Sequence, residues 1–111
     1  MERIAQYRQC VQEALRRYAE FSPSDEYVDV ELSFDTERDH YQVIHAGWRN
    51  QRRIYGSVLH LDIKNGKIWI QHDGTEIGIA NELLRLGVPK EDIVLAFHSP
   101  YQRQFTEFAV S

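Results

Sequence analysis

The feature that most constrains the fold is the dipeptide Asn65-Gly66, which stands between two segments of alternating apolar and polar residues. Asparagine and glycine readily adopt the two positive φ angles of a type I′ turn, which joins antiparallel strands tightly. With Lys64 opposite Lys67, one face of the hairpin pairs Ile63 with Ile68 and Leu61 with Ile70. The other face pairs Asp62 with Trp69 and His60 with Gln71. The sequence therefore predicts a hairpin with one apolar face.

Two more strands are predicted before this hairpin. Residues 28–35 alternate strictly between apolar and polar side chains, as a half-buried strand requires. Residues 41–48 also have the composition of a strand, and the hairpin itself comprises residues 54–63 and 67–72. Short connections favour neighbours in sequence as neighbours in the sheet, so we predict a four-stranded antiparallel meander.

A helix is predicted on each side of the meander. The first spans residues 2–21, where apolar residues recur in steps of three and four, and Ser22-Pro23-Ser24 ends it. For the second, Asp73 and Glu76 have the spacing of a capping box. Gly87 then supplies a left-handed C-terminal position. The apolar stripe of this second helix comprises Ile77, Ala80, Leu83 and Leu84.

The remaining segments complete an α+β fold class. Residues 93–97 form a short buried run that fits either a fifth strand or a helical turn. The last segment carries three aromatic rings, too many for a free terminus, and we expect it to be docked. These rings are Tyr101, Phe105 and Phe108. The predicted order is an N-terminal helix, a four-stranded antiparallel meander, a second helix, a short extended segment and a docked C-terminal tail, with residues 1–111 in a single domain.

Counting the alternation back from the hairpin assigns the side chains to two faces. It predicts that Ile44, Ala46 and Trp48 share the inner face with Ser57, Leu59 and Leu61. The predicted outer face comprises Glu31, Tyr41, Val43, His45, Val58, His60, Asp62 and Trp69. Mixed aromatic and charged residues are typical of protein interfaces, so this outer face is our candidate partner face. The alternative is that the C-terminal tail folds over it.

Charge and composition exclude several classes of protein. Thirteen Lys and Arg residues against 17 Asp and Glu residues give a net charge of -4, which disfavours strong autonomous binding of nucleic acid. The 42% hydrophobic content and the 27% charged content exclude a disordered chain and a membrane protein. A single cysteine, Cys10, and no apolar signal sequence at the first residues favour a cytoplasmic protein.

Two clusters carry possible chemistry. Glu31, His45, His60 and Asp62 on the predicted outer face form a candidate metal or proton-transfer site of a small enzyme or ligand-binding domain. The sequence has no compact ligand motif such as H-E-x-x-H, so polar residues on a solvated sheet face are the simpler interpretation, and no cofactor is predicted.

The second cluster is basic. Arg49, Arg52 and Arg53 lie beside Trp48 and Tyr55 and are candidate phosphate contacts of a weak DNA-binding regulator. The alternative is local neutralisation by nearby acidic residues, namely Asp25, Glu26 and Asp29. Direct contact with DNA is expected to be weak or absent.

Long segments of the chain resemble the XisI family, the fdxN element excision controlling factor proteins of cyanobacteria and some other bacteria. The resemblance begins with Phe34-Asp35-Thr36-Glu37-Arg38-Asp39-His40-Tyr41-Gln42. It continues through Gly47-Trp48, residues 53–56, 60–63, 65–71 and 73–76, and Ile79-Ala80. It ends with residues 87–95 and Thr106-Glu107-Phe108-Ala109. So many segments in the same order make the resemblance specific.

The resemblance implies a small accessory protein in the programmed excision of a DNA element that interrupts a nitrogen-fixation gene. A separate recombinase performs strand exchange in that system. Proteins of this family commonly accompany XisH-like proteins, which look nuclease-like in fold. The expected role is therefore noncatalytic control through an XisH-like partner or the excision recombinase, with a homo-oligomer as a further possibility. The family brings no catalytic residues to transfer to this chain.

Overall fold

The computed structural model describes residues 2–22 and 26–111. Helix α1 spans Glu2–Phe21, and strands β1 to β4 span Val28–Asp35, His40–Arg49, Arg52–Lys64 and Lys67–Asp73. Helix α2 (Ile79–Arg85), a 3₁₀ turn (Lys90–Asp92), strand β5 (Ile93–Leu95) and helix α3 (Pro100–Arg103) follow. The five strands form one sheet in sequence order, in which β1 to β4 are antiparallel and β5 is parallel to β4.

The α+β class and the meander are thus confirmed, and the extended segment at 93–97 contributes a fifth strand, β5. The first helix has the predicted length. Of its predicted stop signal Ser22-Pro23-Ser24, the last two residues lie outside the described residues.

The predicted hairpin register is confirmed from the turn to Leu61, and it is wrong beyond that residue. Asn65 and Gly66 have φ angles of 55° and 76°, and Lys64 pairs with Lys67 as predicted. The apolar pairs, Ile63 with Ile68 and Leu61 with Ile70, are also those predicted. A bulge lies between His60 and Leu61, so His60 pairs with His72, and Gln71 of β4 is the extra residue. The predicted pair of His60 with Gln71 is therefore wrong.

A second bulge, between β2 and β3, changes the assignment of faces. Ile44 pairs with Ser57, while Val43 pairs with Leu59, so Val58 is the extra residue. Since one extra residue inverts the alternation beyond it, Tyr41 and Val43 lie on the same face as Leu59 and Leu61. All four are completely buried in the core.

The predicted outer position of Tyr41 and Val43 is therefore wrong. The predicted inner position is wrong for Ile44, Ala46, Trp48 and Ser57, since Ser57 pairs with Ile44. Trp48 is 51% exposed, and it pairs with exposed Arg53.

Helix α1 covers the inner face of the sheet and is fixed there by polar contacts at its start. The Tyr7 hydroxyl donates a hydrogen bond to Asp92, at the end of the 3₁₀ turn. Arg8 donates two hydrogen bonds, of 2.8 and 3.1 Å, to the carboxylate of Asp39. The Tyr41 hydroxyl donates to the same carboxylate over 2.9 Å. The core between helix and sheet includes Val11, Leu15, Leu59, Leu61, Ile68, Ile70, Leu83 and Ile93.

Helix α2 starts later than the capping box predicts. Its first residue is Ile79, whose backbone N–H donates to the Asp73 carboxylate over 2.8 Å. Asp73 therefore caps the helix across an intervening loop, in which Ile77 is 83% exposed and contributes nothing to the predicted apolar stripe. The end agrees with the prediction. Gly87 has a φ of 100°, and Val88 N–H donates to the Leu83 carbonyl in a Schellman arrangement.

The C-terminal tail is docked through its last residues. Ala109 N–H donates to the Ile93 carbonyl over 2.9 Å, and Phe108 packs against the core. Tyr101 and Phe105 are 69% and 72% exposed, and their rings contact each other at 5.2 Å between centroids. Among the described residues, no helix is both long and apolar enough to cross a membrane.

Candidate functional site

The sheet face opposite α1 is the candidate site, and we call it the open face. Strand register and exposure place these residues on it: Glu31, His40, Gln42, Ile44, Ala46, Trp48, Arg53, Tyr55, Ser57, His60, Asp62 and Trp69. Four residues of the predicted partner face therefore lie here: Glu31, His60, Asp62 and Trp69.

The other four residues of the predicted partner face lie elsewhere. Tyr41 and Val43 are core residues, and Val58 is partly buried against the core. His45 faces α1, where its ring stacks on Tyr18 at 6.4 Å between centroids. Within the described residues, its Nε2 atom is buried and has no hydrogen-bond partner. The sequence predicts that His45 joins His60 and Asp62 in one site, but its position against α1 prevents this.

A different histidine takes that place. His40 lies directly opposite Asp62 across β2 and β3, and its Nδ1 atom is 2.7 Å from Asp62 Oδ1. His60, two residues before Asp62 on the same strand, places Nε2 at 2.9 Å from the same oxygen. Gln71 donates to the other carboxylate oxygen over 3.2 Å. Two imidazoles thus converge on one carboxylate that a third side chain holds in place.

These side chains line a shallow groove of about 400 Å³. Ser33, Asp35 and Gln42 form the rest of its wall. The Asp35 carboxylate accepts hydrogen bonds from the backbone N–H groups of Arg38 and Glu37, and the bond from Arg38 contributes most to lowering the pKa of that carboxyl. The groove therefore combines anionic and imidazole groups at the solvent surface.

The other end of the open face is aromatic. The Arg53 guanidinium lies 5.6 Å from the ring centroid of Trp48 and 5.5 Å from that of Tyr55. Tyr55 is 71% exposed. An arginine held between two exposed rings is typical of interface anchors, because the rings supply rigid apolar area and the cation supplies hydrogen bonds.

The three arginines that are adjacent in the sequence do not share a face. Arg49 pairs with Arg52, whereas Arg53 pairs with Trp48, and neighbouring residues of a strand point to opposite faces. Of the acidic residues predicted to neutralise them, Asp25 lies outside the described residues. A phosphate contact by Arg49, Arg52 and Arg53 together stays a prediction, and the strand geometry separates its members.

The tail reaches the open face along β4, where Lys67 donates a hydrogen bond to the Ser111 carbonyl. Trp69 lies between Lys64, 4.1 Å from its ring centroid, and Arg103 of α3, at 5.5 Å. Its indole N–H donates to the Lys64 carbonyl over 3.1 Å. Trp48 and Tyr55 are exposed without contact from the tail among the residues that the structure describes. The tail therefore covers the Trp69 edge rather than the aromatic end.

A second concave surface lies between the end of α1 and the loop before α2. It has a volume of about 740 Å³, and its lining includes Phe21 and Ile77, which are 68% and 83% exposed. Ile77 was predicted to belong to the apolar stripe of the second helix. Since Ile77 precedes the true start of α2, the late start of that helix is what exposes it.

His40 was not predicted as a site residue, because the predicted strand begins at residue 41 and the predicted faces contain no bulge. The spacing His60-x-Asp62 did identify two of the three side chains. The third requires the pairing of His40 with Asp62, which exists only because the bulge at Val58 shifts β2 by one residue.

The similarity of this chain to known proteins extends along nearly its whole length. The family model described as XisI protein matches residues 1–110. The chain belongs to the XisI family. No protein of curated function matches.

Two solved structures from Anabaena variabilis ATCC 29413 are similar. The first is that of a XisI-like protein, with 47% sequence identity and a TM-score of 0.91 over 96% of this chain and 98% of that one. The second is that of the fdxN element excision controlling factor XisI, with 39% identity and a TM-score of 0.86 over 98% and 99% of the two chains. The resemblance seen in the sequence is therefore confirmed, and it extends to the fold.

Proposed function

We propose that this chain is a noncatalytic accessory factor in the programmed excision of a DNA element of the fdxN type, and that it acts by binding protein partners through its open face. The observation that carries the role is its similarity to the XisI protein described as an excision controlling factor, over 98% of this chain. At 39% identity with matching length, the two chains offer the same sheet and helices to a partner.

The open face supports a role in binding proteins. Helix α1 covers one side of the sheet, and the opposite side presents Trp48 and Tyr55 to solvent at 51% and 71% exposure. Exposed large rings around an arginine are costly to leave in water and are enriched at the centres of interfaces. An XisH-like protein is the first proposed partner, the excision recombinase is the second, and a second copy of this chain is the alternative occupant.

Co-purification tests the partner directly. The full chain and an XisH-like protein encoded nearby are co-expressed, and the affinity of the complex is then measured by calorimetry. Replacing Trp48 or Tyr55 by alanine should weaken binding by about fivefold or more, because truncated anchor rings typically cost over about 1 kcal/mol. Open-face amides of β2 and β3 should also become protected from hydrogen exchange in the complex.

Phe105→Ala is the matched control, because this ring is 72% exposed on the tail and is not one of the open-face residues. It should leave affinity unchanged. The proposed partner is wrong if the XisH-like protein neither binds nor protects these amides. Sedimentation of the chain alone then distinguishes a homo-oligomer, which W48A would dissociate. In cells, the excised fraction of the element should fall with W48A and persist with F105A.

A further inference from the structure

The geometry points to a binding site for one divalent transition-metal ion, such as Zn²⁺, formed by His40, His60 and Asp62 on the open face. One ligand atom from each of these residues lies within 4.8 Å of the other two. This inference rests on the side-chain geometry alone and is independent of the proposed role in excision.

The three side chains are positioned by the sheet. His40 and Asp62 are directly opposite on β2 and β3, and His60 shares a face with Asp62 because it lies two residues before it. Strands hold side chains more precisely than loops do, so the three donor atoms are already close together in the folded protein. His40 and Asp62 are 22 residues apart in the sequence, which explains why the sequence has no compact ligand motif.

The distances are close to those of a metal centre. A tetrahedral zinc with bonds near 2.1 Å separates its ligand atoms by about 3.4 Å. The ring nitrogens lie 2.7 and 2.9 Å from Asp62 Oδ1, so they would move outward by about 0.7 and 0.5 Å to admit an ion. The His40 side chain is 52% exposed, which leaves its ring room for this movement.

A metal site also requires that its ligands be held in a fixed orientation, and the surroundings of Asp62 provide this. Asp62 is only 14% exposed, and Gln71 donates a hydrogen bond to its Oδ2 atom. This bond fixes the carboxylate plane and leaves Oδ1 directed at the two imidazoles. Gln71 occupies the bulge of β4, so the irregularity that displaced the predicted His60 pair also supplies the positioning group.

The donor set selects the class of ion. Two imidazole nitrogens and one carboxylate oxygen suit Zn²⁺ and neighbouring first-row ions, whereas Mg²⁺ and Ca²⁺ prefer oxygen ligands throughout. Three protein ligands leave a fourth position, which faces the groove and is open to water or to a side chain of a partner.

Calorimetry with Zn²⁺ and Co²⁺ on the untagged full chain tests the site. We expect one ion per chain, and with Co²⁺ a visible absorption spectrum of a low-coordinate centre. H40Q and H60Q should each weaken Zn²⁺ binding at least tenfold, and Q71A by about tenfold, the typical effect of losing a group that orients a ligand. Mg²⁺ in excess should not compete.

His98→Gln is the matched control, because His98 contacts Phe97 on the segment after β5 and lies outside the site. It should bind Zn²⁺ as the unaltered chain does. Circular dichroism verifies that each variant is folded before binding is compared, and Zn²⁺ should raise the melting temperature of H98Q but not of H40Q. The inference is overturned if the H40Q/H60Q double variant binds Zn²⁺ as tightly as the unaltered chain, or if H98Q weakens binding equally.

Discussion

Gly47 shows how a single residue position determines the start of the sheet. A Cβ atom built there would lie 2.0 Å from the Tyr27 carbonyl oxygen and 2.5 Å from Val28 Cα. The same carbonyl accepts a hydrogen bond from Trp48 N–H over 2.9 Å. The absence of a side chain at Gly47 therefore lets the chain entering β1 approach β2 closely enough to pair.

We predict that Gly47→Ala destabilises the protein by about 3 kcal/mol or more, because the clash is with backbone atoms that cannot rotate away. Urea unfolding followed by circular dichroism measures the change. Gly56→Ala is the control, since Gly56 lies on the neighbouring strand with no atom within 4 Å of an added Cβ. G56A should be neutral or slightly stabilising, by about 0.5 kcal/mol. Equal losses from the two substitutions would contradict the steric explanation.

Tyr7 makes stability depend on alkaline pH. Burial, followed by its hydrogen bond to Asp92, raises the pKa of Tyr7 to about 12. A tyrosine in the unfolded chain has a pKa near 10. Between these values the unfolded state loses a proton that the folded state keeps, so unfolding becomes more favourable as the pH rises.

We therefore predict that the stability advantage of the unaltered chain over Tyr7→Phe is constant below pH 10 and decreases above it. The decrease approaches about 1.4 kcal/mol per pH unit up to pH 12. Urea unfolding of both proteins at pH 8, 10 and 11 measures it. Phe105→Ala, which alters a ring that is 72% exposed and has no titratable group, is the control and should show no such convergence. A constant difference between the unaltered chain and Y7F across this range would contradict the raised pKa.

Among the secondary-structure elements, those set by local signals were predictable. The period of apolar residues defined α1, Asn65-Gly66 defined the β3–β4 turn, and Gly87 defined the end of α2. The two bulges were not predictable, because an extra residue such as Val58 is stabilised by contacts across strands and has no residue signature of its own. The bulge at Val58 inverts the alternation beyond it, so Tyr41, Val43 and His45 of the predicted partner face were assigned to the wrong side of the sheet.

The candidate site was affected by the same limitation. His60 and Asp62 were found because two residues on one strand share a face without reference to any partner strand. His40 required the register between β2 and β3 beyond the bulge. His45 was chosen instead because the count from the hairpin ignored the extra residue, and it lies against Tyr18 of α1.

The C-terminal tail acts as an additional element beside β5. Strand β5 has only three residues, and Ala109 forms a bridge to it on the side away from β4. Phe108 packs against the core beside this bridge, whereas Phe105 is 72% exposed. The stability of β5 should therefore depend on one of these rings and not on the other.

We predict that Phe108→Ala lowers the free energy of unfolding by about 2 kcal/mol, less than the 3–5 kcal/mol typical of a fully buried ring. Phe105→Ala should change it by less than about 0.5 kcal/mol, as is usual for exposed side chains. Thermal and urea unfolding measure both variants. Hydrogen exchange should show faster exchange of β5 amides in F108A alone. If F105A is as destabilising as F108A, the tail is docked by the outer ring instead.

At the scale of the whole molecule, the net charge and the strand geometry both disfavour DNA binding by this chain alone. The net charge is -4, so no overall field attracts a polyanion. The basic cluster is divided between two faces of the sheet, with Arg53 held by Trp48 and Tyr55. A row of phosphates could therefore meet only part of the cluster at once.

We predict that the chain alone binds duplex DNA no more tightly than about 10⁻⁴ M at physiological salt, the weak end of nonspecific binding. Fluorescence anisotropy with a labelled duplex at 50 and 200 mM salt measures affinity and its salt dependence. Because few phosphates are neutralised, the slope should be small, and R52A/R53A should leave it unchanged. A K64A variant serves as a control for general loss of positive charge. A steep slope that R52A/R53A removes and K64A does not would show direct DNA recognition through the β2–β3 turn, and the accessory role would then include contact with the element itself.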